Sequence, residues 1–403
     1  MLQKVSFKNK QDQLLSARLD QPTGQKPRAY AIFAHCFTCT KNLSAIRNIS
    51  RSMIQAGIAV LRFDFTGLGD SEGDFADTNF SSNVSDLVAA AEYLKKEHEA
   101  PSLLIGHSLG GAAVIFAASQ ITSIEALATI GAPSSPEHVS HLFASNIAEI
   151  EENEISEVNI GGRPFTIKKQ FLDDISEQNL ANTLGNLKKP LLIMHSPQDV
   201  IVSIENASQL YVAAFHPKSF VSLNGADHLM SNKSDSLYAG EVISTWAKRY
   251  LNIEKEEHLQ TNQQVVVQLG ETGFTTIVSN GRHSFLADEP LSVGGDDLGP
   301  TPYDLLLSSL GTCTVMTLRM YANRKKWDLQ GVSIHLSHNK EYAKDCQDCE
   351  SKTSKIDVIS KSIDIKGDLD DTQRNRLMEI ADRCPVHRTI MSDMEIRSEL
   401  ISN

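Results

Sequence analysis

The chain has little of what several protein classes require. Its 403 residues include 6 cysteines and 2 tryptophans, and aromatic residues make up 6% of the total. Six cysteines in so long a chain do not form the disulfide framework of a small secreted domain. Every apolar run is shorter than the roughly 20 residues that a membrane-spanning helix needs. Residues 1–15 are polar and mixed in charge and lack the apolar core of a signal peptide. We therefore expect a cytoplasmic protein without a membrane span.

Basic tracts are also missing. The formal net charge is -12, from 38 Lys and Arg against 50 Asp and Glu. Nucleic acid and anionic membrane surfaces, which attract clustered cations, are therefore not expected partners. Hydrophobic residues make up 41% of the chain, which is enough for extended cores. The length favours two or three domains.

One stretch of the first half carries a chemical signature. An apolar run at 103–105 leads into Gly106-His107-Ser108-Leu109-Gly110, and residues 112–118 have helix-forming composition. This is the G-x-S-x-G nucleophile elbow, in which a sharp turn between strand and helix exposes a serine hydroxyl. Glycines two residues before and after the serine let the strand and the helix pack closely. The backbone N–H of Leu109 is then placed to face an oxyanion.

Strands and helices alternate around this elbow. The pattern predicts strands at 28–34, 58–63, 103–105, 126–130, 190–195 and 219–223, and helices at 44–56, 84–94, 112–118 and 241–251. Such alternation predicts an α/β fold with a doubly wound, mostly parallel sheet. The rhythm breaks between residues 134 and 187, which we call the cap segment. We interpret it as a cap over the active site, the alternative being a surface insertion without a gating role.

A serine nucleophile needs a base and an orienting acid. In this architecture the expected chain order is serine, acid, histidine. Asp199 follows the predicted strand at 190–195, and His228 follows the one at 219–223. Both emerge at the carboxyl edge of the sheet, where Ser108 also lies. We expect His228 to accept the serine proton and Asp199 to orient the imidazole. Rival groups are Asp227 for the acid and His35, His107 and His195 for the base. Asp227 adjoins His228, and adjacent side chains point away from each other. The three histidines are more readily explained as residues that pack or shape the loops.

Residues 15–250 resemble the α/β-hydrolase family, in its esterase, lipase and serine aminopeptidase-like branch. In that family the second oxyanion donor follows a His-Gly pair. The corresponding pair here is His35-Cys36, so the resemblance implies that the N–H of Phe37 is the donor, together with Leu109. We interpret Cys36 and Cys39 as packing residues rather than a redox-active pair.

A polar, charged stretch at 253–264 follows the last predicted helix of this half. We interpret it as a linker. The predicted organisation is a hydrolase domain at 1–252, this linker, and a further domain at 265–403.

The second half has an α+β pattern. Strands are predicted at 265–269, 275–279, 282–287, 332–337 and 356–365. A helix that starts at Pro302 is apolar on nearly every side, which favours a place in a core, and it contains Cys313. A second helix is predicted from Asp371 to Cys384, with Cys384 on its inner face. By themselves, two inward-facing cysteines are most simply small apolar residues.

The sequence around these cysteines resembles that of a known family. Gly311-Thr312-Cys313-Thr314 and the segment 384–389, Cys-Pro-Val-His-Arg-Thr, are similar to the two signatures of the OsmC and organic hydroperoxide resistance family. The similarity extends over residues 263–403. It implies a thiol peroxidase in which Cys313 attacks the peroxide and Cys384 resolves the sulfenic acid as a disulfide. It also implies a dithiol reductant and a homodimer formed through this domain.

Two family positions differ here. Tyr303 stands at the position of a glutamate ten residues before the first cysteine, and residues 268–276 lack the arginine of the first hairpin. A thiolate in an apolar helix needs a cation nearby. Arg282 is our first candidate, with Arg319, Arg383 and Arg388 as alternatives.

Cys346 and Cys349 form a C-x-x-C pair in a polar loop. A reversible local disulfide and an electron relay to Cys313 and Cys384 both remain open, whereas a zinc site lacks a second ligand pair. We expect no metal or other cofactor.

The sequence therefore predicts a fusion of two enzymes that act on small molecules. One is a serine hydrolase for an ester or related acyl substrate, and the other is an organic hydroperoxide reductase. The alternative is a serine hydrolase with a catalytically silent OsmC-like module for dimerisation or ligand binding. A non-catalytic stress-binding protein is a third, less favoured reading.

Overall fold

The computed structural model describes residues 2–22, 26–160, 162–251, 259, 261–270, 273–342 and 355–400. They fall into two units, one of Met1–Gly273 with Ser279–His283 and one of Phe274–Val278 with Ser284–Asn403. Most of the predicted linker at 253–264 lies outside the described residues, as do Cys346 and Cys349. Within the described ranges, no helix is both long and apolar enough to cross a bilayer.

The first unit is built on a sheet of eight strands. In chain order they are β1 (Leu2–Lys8), β2 (Leu14–Asp20), β3 (Ala29–Ala34), β4 (Ile58–Phe63), β5 (Leu103–His107), β6 (Ala126–Ile130), β9 (Leu191–His195) and β10 (Lys218–Ser222), with β7 and β8 given below. The order across the sheet is β1-β2-β4-β3-β5-β6-β9-β10. β1 pairs antiparallel with β2, and β2 with β4, whereas the remaining pairs are parallel. The α/β class with a mostly parallel sheet is thus confirmed.

Helices cover both faces of this sheet. They are α1 (Ser44–Gln55), α2 (Phe80–Glu97), α3 (Leu109–Gln120), α7 (Glu205–Ala213) and α8 (Lys233–Ala247). Every residue of β3, β4, β5, β6 and β9 is buried, as expected for parallel strands packed on both sides. One apolar core contains residues of α2 and α3, and the other contains residues of α1 and α8. The carboxyl ends of these central strands therefore meet at one rigid edge.

The cap segment leaves the sheet after β6 and returns at β9. It contains a 3₁₀ stretch at Pro136–Asn146, then α4 (Ile147–Asn153), the hairpin β7 (Ile155–Ile160) and β8 (Arg163–Lys168), α5 (Lys169–Glu177) and α6 (Leu180–Leu187). β7 alternates exposed and buried residues, so one face of the hairpin packs inward.

The second unit combines helices with short sheets. Its elements, with one strand that precedes it, are β11 (Val266–Leu269), β12 (Thr276–Ser279), β13 (Ser284–Ala287), α9 (Pro302–Lys325), β14 (Gly331–Tyr342), β15 (Lys355–Lys366), α10 (Asp371–Ala381) and α11 (Pro385–Ile390). β14 and β15 form a long antiparallel hairpin. A small core joins residues of α9, α10 and this hairpin.

Two helix predictions for this half need correction. The expected burial of α9 on nearly every side is wrong, because its buried residues form one stripe from Leu310 to Ala322 while Met316 and Met320 are exposed. The helix expected to continue to Cys384 ends at Ala381, and Cys384 is instead the N-cap of α11. Pro385 begins that helix rather than ending the previous one, since proline is well suited to the first helical position.

Candidate active site

A hydrogen-bonded chain joins three side chains at the carboxyl edge of the first sheet. Nε2 of His228 lies 3.0 Å from Oγ of Ser108, and Nδ1 lies 2.7 Å from Oδ2 of Asp199. The three side chains come from the turn after β5, the loop after β10 and the loop after β9. Ser108 and Asp199 are each 8% exposed. The three residues that the sequence selects as nucleophile, base and acid are thus brought together.

Ser108 occupies a turn that few side chains tolerate. Its φ is 55° and its ψ is -128°, directly between β5 and α3. The glycines around it are required by contact distances. A Cβ on Gly106 would lie 2.4 Å from the carbonyl oxygen of Gly110, and one on Gly110 would lie 2.4 Å from that of His35. Strand and helix can therefore approach closely enough to leave the hydroxyl at the strand end.

Asp199 is held as an anion. Its Oδ1 accepts hydrogen bonds from the N–H groups of Ile201 and Val202, both at 2.9 Å, and its Oδ2 faces His228. Burial raises the pKa of Asp199, but the hydrogen bonds from His228 and these N–H groups outweigh it, so the net pKa lies below the ordinary value. The rival Asp227 is exposed, and its carboxylate accepts from the N–H of Ser231.

The other three candidate histidines are buried supports. His107 Nε2 donates to the carbonyl of His228 at 2.7 Å, His195 Nε2 to that of Val202 at 2.7 Å, and His35 Nδ1 to that of Cys36 at 2.9 Å. Burial lowers the pKa of each, in the case of His107 to about 3. Each is therefore neutral near pH 7 and fixes the backbone of a loop that carries a functional residue.

The loop after β3 carries Phe37, one of the two expected oxyanion donors. Leu109, the other, is the first residue of α3, where an N–H has no partner within its own helix. The interpretation of Cys36 and Cys39 as packing residues is wrong, because their Sγ atoms are bonded to each other. The turn between them contains Thr38 at a φ of 62°.

An ion-pair network anchors the far end of this loop. The ammonium group of Lys41 lies 2.5 Å from Asp64 and 2.8 Å from Asp70, and the N–H of Lys41 donates to Asp64 at 2.6 Å. The side chains of Lys41 and Asp64 are 3% and 0% exposed. Arg62 donates to the carbonyl of Lys41 at 2.6 Å and pairs with Asp20. Sequence reasoning missed this network, since its members lie far apart along the chain.

The cap segment packs on the same loop. The ring of Phe171 lies 5.4 Å from that of Phe37, which lies 5.5 Å from Phe75, and Phe165 lies 5.1 Å from Phe75. Arg163 donates to the carbonyl of Thr38. The cavity beside Phe37 and Leu109 has a volume of ≈ 10 Å³, room for about one water molecule. The space between Phe37 and Leu109 is therefore nearly filled, in part by the rings of Phe65 and Phe75.

Comparison with known families assigns both halves. The model described as serine aminopeptidase, S33, matches residues 25–161, and the model described as OsmC-like protein matches residues 294–399. The crystal structure of the esterase domain of a Rhodothermus marinus protein is 48% identical and has a TM-score of 0.52. The match covers 62% of this chain and 99% of that one.

The N-terminal region belongs to the α/β-hydrolase family, and an OsmC domain lies C-terminal to it. The predicted fusion is thereby confirmed. More distant relatives share the hydrolase part. Rat mitochondrial palmitoyl-protein thioesterase ABHD10 is 26% identical over 204 residues, which is 48% of this chain and 66% of that protein. Est1E from Butyrivibrio proteoclasticus, solved with ferulic acid, is 23% identical, with a TM-score of 0.51 over 61% of this chain and 98% of its own, and so shares the fold.

The OsmC domain places its two signature cysteines on neighbouring elements. Cys313 lies within α9 and is half-buried, whereas Cys384 is fully buried at the start of α11. Sγ of Cys384 lies 3.4 Å from Oγ1 of Thr314, the residue after Cys313, and accepts the N–H of His387 at 3.3 Å. Cys384 thus faces the segment of α9 that carries Cys313.

The arginines considered as cation partners of Cys313 have other surroundings than the sequence analysis expects. Arg282 is exposed in the turn between β12 and β13, and Arg319 donates to the carbonyls of Leu329 and Gln330. Within the described ranges, no ion pair or hydrogen bond joins any cation to Sγ of Cys313. Tyr303, at the family's glutamate position, stacks on His338 at 4.4 Å, and His338 pairs with Asp357 at 2.8 Å. This aromatic and imidazole pair gave no signal in the sequence.

Proposed function

We propose that the chain is a serine hydrolase that cleaves an ester or thioester of a small acyl group at Ser108. The observation that carries this proposal is the continuous hydrogen-bond chain from Ser108 through His228 to Asp199. Such a chain makes a weakly nucleophilic hydroxyl reactive by giving its proton a place to go.

The reaction follows from this arrangement. Nε2 of His228 takes the proton as Oγ of Ser108 attacks the acyl carbon. The carbonyl oxygen becomes an oxyanion, which accepts hydrogen bonds from the N–H groups of Phe37 and Leu109. His228 then protonates the leaving alcohol or thiol. A water molecule, deprotonated by His228, releases the acid from the acyl-serine. Asp199 stays ionised throughout and stabilises the imidazolium.

The substrate class rests on the relatives and on the cavity. Esterase activity is named for the Rhodothermus marinus domain, and palmitoyl-protein thioesterase activity for the rat protein. Both reactions attack an acyl carbonyl bearing an oxygen or sulfur leaving group. The rings of Phe65 and Phe75 leave only ≈ 10 Å³ beside Phe37 and Leu109, the two proposed oxyanion donors, and this tight packing favours a short acyl chain.

The decisive test uses the full chain. We expect wild type to hydrolyse p-nitrophenyl acetate and butyrate and to gain one covalent adduct with a fluorophosphonate. Ser108→Ala should lose the adduct and at least about 10³-fold in kcat, because removal of the nucleophile leaves only binding and oxyanion stabilisation. Ser119→Ala, on the exposed end of α3, is the matched control. Equal hydrolysis by wild type and Ser108→Ala would reject the proposal.

For the OsmC domain we propose cysteine-based reduction of organic hydroperoxides. The thiolate of Cys313 would attack the O–O bond, releasing an alcohol and leaving a sulfenic acid. The thiol of Cys384 would displace water to form a disulfide, which a dithiol reductant reopens. The placement of Cys384 against the Cys313 segment of α9 supports this step.

One observation favours the alternative of a silent module. Among the described residues, no hydrogen bond or ion pair joins a cation to Sγ of Cys313, whereas reactive cysteines typically have a cation beside them. Mass-spectrometric mapping after one equivalent of cumene hydroperoxide separates the two. A Cys313–Cys384 disulfide that is absent in Cys313→Ser supports reduction, whereas persistent thiols and peroxide support a structural or ligand-binding role.

The same proposal includes a homodimer formed through the OsmC domain. It includes domain limits of 1–252 and 265–403, a linker at 253–264, and a cytoplasmic location. The exposed apolar residues of α9 support the dimer, because one face of this helix lacks a covering element in the described parts of the chain.

A further inference from the structure

The disulfide between Cys36 and Cys39 closes a very small ring. The two cysteines are three residues apart, with Cα atoms separated by 5.3 Å, which is an ordinary span for a disulfide. The N–H of Cys39 also donates to the carbonyl of Cys36 at 3.1 Å. This C-x-x-C spacing is the one that reversible dithiols use. Where disulfides occur in reducing compartments, they usually serve catalysis or redox sensing rather than stability.

The ring encloses the residue on which the oxyanion depends. Phe37 lies between the two cysteines, so its N–H is positioned by a loop that the sulfur bridge closes. Thr38, next to it, is held at a positive φ, which costs an ordinary residue energy unless the surroundings impose it. Cys36 is 4% exposed, whereas Cys39 is half-buried. A thiol in solution therefore has better access to the sulfur of Cys39.

We propose that Cys36 and Cys39 are a redox-active pair that exchanges with a small dithiol, and that its disulfide form holds Phe37 in the geometry for hydrolysis. The second part rests on the proposed function of Ser108, whereas the exchange itself does not.

The exchange is balanced without a further reagent. A thiolate of the dithiol attacks Sγ of Cys39, the Cys36–Cys39 bond breaks, and Cys36 leaves as a thiolate that takes up a proton. The second thiolate of the dithiol then attacks the other dithiol sulfur, which is bonded to Cys39 in the mixed disulfide. Cys39 is released as a thiolate and is also protonated. The protein gains two thiols, and the dithiol becomes a cyclic disulfide. The reverse sequence, with an oxidised dithiol, restores the bond.

Reduction should weaken hydrolysis without abolishing it. Contacts of Lys41 with Asp64 and of Arg163 with the carbonyl of Thr38 still hold the loop at other points. Loss of an oxyanion donor costs about 100- to 1000-fold in kcat, which sets the upper limit. We expect a fall in kcat of about tenfold on reduction, with KM changed by no more than about twofold, because a transition-state contact is loosened.

The test uses the full chain with Cys313, Cys346, Cys349 and Cys384 replaced by serine, so that one cysteine pair remains. This protein is equilibrated with defined ratios of reduced to oxidised dithiothreitol. Alkylation and mass spectrometry measure the fraction of pair thiols, and p-nitrophenyl acetate hydrolysis is measured on the same samples. Cys36→Ser and Cys39→Ser are added to this background, with circular dichroism to confirm folding.

We expect thiol formation and the fall in kcat to have the same midpoint on the scale of reduced-to-oxidised dithiothreitol ratio. Cys36→Ser and Cys39→Ser should each show the low kcat at every ratio. A disulfide that resists excess dithiothreitol in the folded protein would overturn the exchange. Equal kcat in both states would overturn the effect on Phe37. Ser108→Ala in the same background separates these failures from failure of the proposed hydrolase, which would show as hydrolysis independent of Ser108.

Discussion

At the scale of single residues, three buried histidines next to the proposed triad hydrogen-bond to backbone carbonyls. His107 is the clearest case. It precedes the nucleophile in the chain, yet its ring supports the backbone of His228, 121 residues away. Its Nδ1 is buried without a partner among the described residues. One side chain therefore links the positions of Ser108 and His228, the proposed nucleophile and base.

This link predicts different outcomes for two substitutions. His107→Leu removes the donor to the carbonyl of His228 and should lower kcat about tenfold, through displacement of the imidazole. His107→Gln keeps an N–H donor and should stay within about threefold of wild type. The comparison is made by steady-state hydrolysis of p-nitrophenyl acetate. Equal losses in both variants would mean that packing, rather than the hydrogen bond, is what His107 provides.

Protonation of these histidines should also destabilise the domain in acid. Burial lowers the folded-state pKa of His107 from its ordinary value of 6.5 to about 3. The stability that comes from keeping it neutral is complete above about pH 6.5 and is lost as the pH falls toward 3. We expect the melting temperature of the hydrolase domain to fall over this range, and to fall less steeply in His107→Gln.

Asp86 should change the stability of the domain with pH in the direction opposite to His107. Burial raises its pKa from 3.8 to about 6, despite hydrogen bonds from Thr66 and Asn9. Because the folded-state pKa is the higher one, this carboxyl favours folding below about pH 4, and the contribution disappears as the pH rises through 6. The difference between the two pKa values corresponds to about 3 kcal/mol in the free energy of unfolding.

Asp86→Asn mimics the protonated acid and tests this sign. Relative to wild type, it should gain stability between pH 4 and pH 7 by up to about 3 kcal/mol. Urea unfolding followed by Trp246 fluorescence, in a Trp327→Phe background, reports on the hydrolase domain alone. Asp12→Asn, with an 85% exposed side chain, is the control. A constant difference across this pH range would contradict the expected pKa of Asp86.

The sequence was informative about residues whose roles follow from local pattern. Ser108 is fixed by glycine spacing, and Asp199 and His228 by their positions after strands. Contacts between distant segments could not be read in the same way. The support of His228 by His107 depends on how loops fold over the sheet edge, and the bond between Cys36 and Cys39 depends on a turn whose φ values one sequence does not reveal.

At the scale of elements, the spacing of apolar residues and their burial explain which strands and helices could be predicted from the sequence. Buried central strands gave continuous apolar runs that could be located to within a few residues. β1 and β2 were missed, although β2 buries Leu15, Ala17 and Leu19 in strict alternation. Polar residues between them masked the signal, which a search for period two would detect. The burial prediction for α9 was wrong because an apolar helix surface is not always covered by other parts of the same chain.

The aromatic contacts between the cap segment and the loop of Phe37 should set acyl-chain length. Phe171 is 2% exposed and fills space beside Phe37. Phe171→Leu should raise kcat/KM for p-nitrophenyl octanoate relative to acetate by about fivefold or more, since a smaller side chain admits more of the acyl chain. Phe215→Leu, 53% exposed after α7, is the matched control. An unchanged octanoate-to-acetate ratio would exclude Phe171 as a determinant of chain length.

At the scale of the whole molecule, the exposed face of α9 bears on assembly. Met316 and Met320 are 63% and 72% exposed and lie one helical turn apart. If this face joins two copies, Met316→Glu with Met320→Glu should reduce the mass in light scattering from that of a dimer to the 44.3 kDa of one chain. Val212→Glu, at a 76% exposed position in α7, should leave the mass unchanged. A wild type that already has the mass of one chain would reject the dimer.

The route of the chain through the first sheet has a consequence for diversification. β6 and β9 are paired neighbours, with Leu127 opposite Leu191, yet the whole cap segment lies between them in sequence. Because the two strands are parallel, the segment leaves at the carboxyl end of β6 and returns to the amino end of β9, as a single crossover connection between neighbouring strands. Its length and composition can change by insertion, deletion or recombination while the register of every central strand stays the same. New acyl specificities can arise there without disturbing Ser108, His228 and Asp199, to which we assign the proposed reaction.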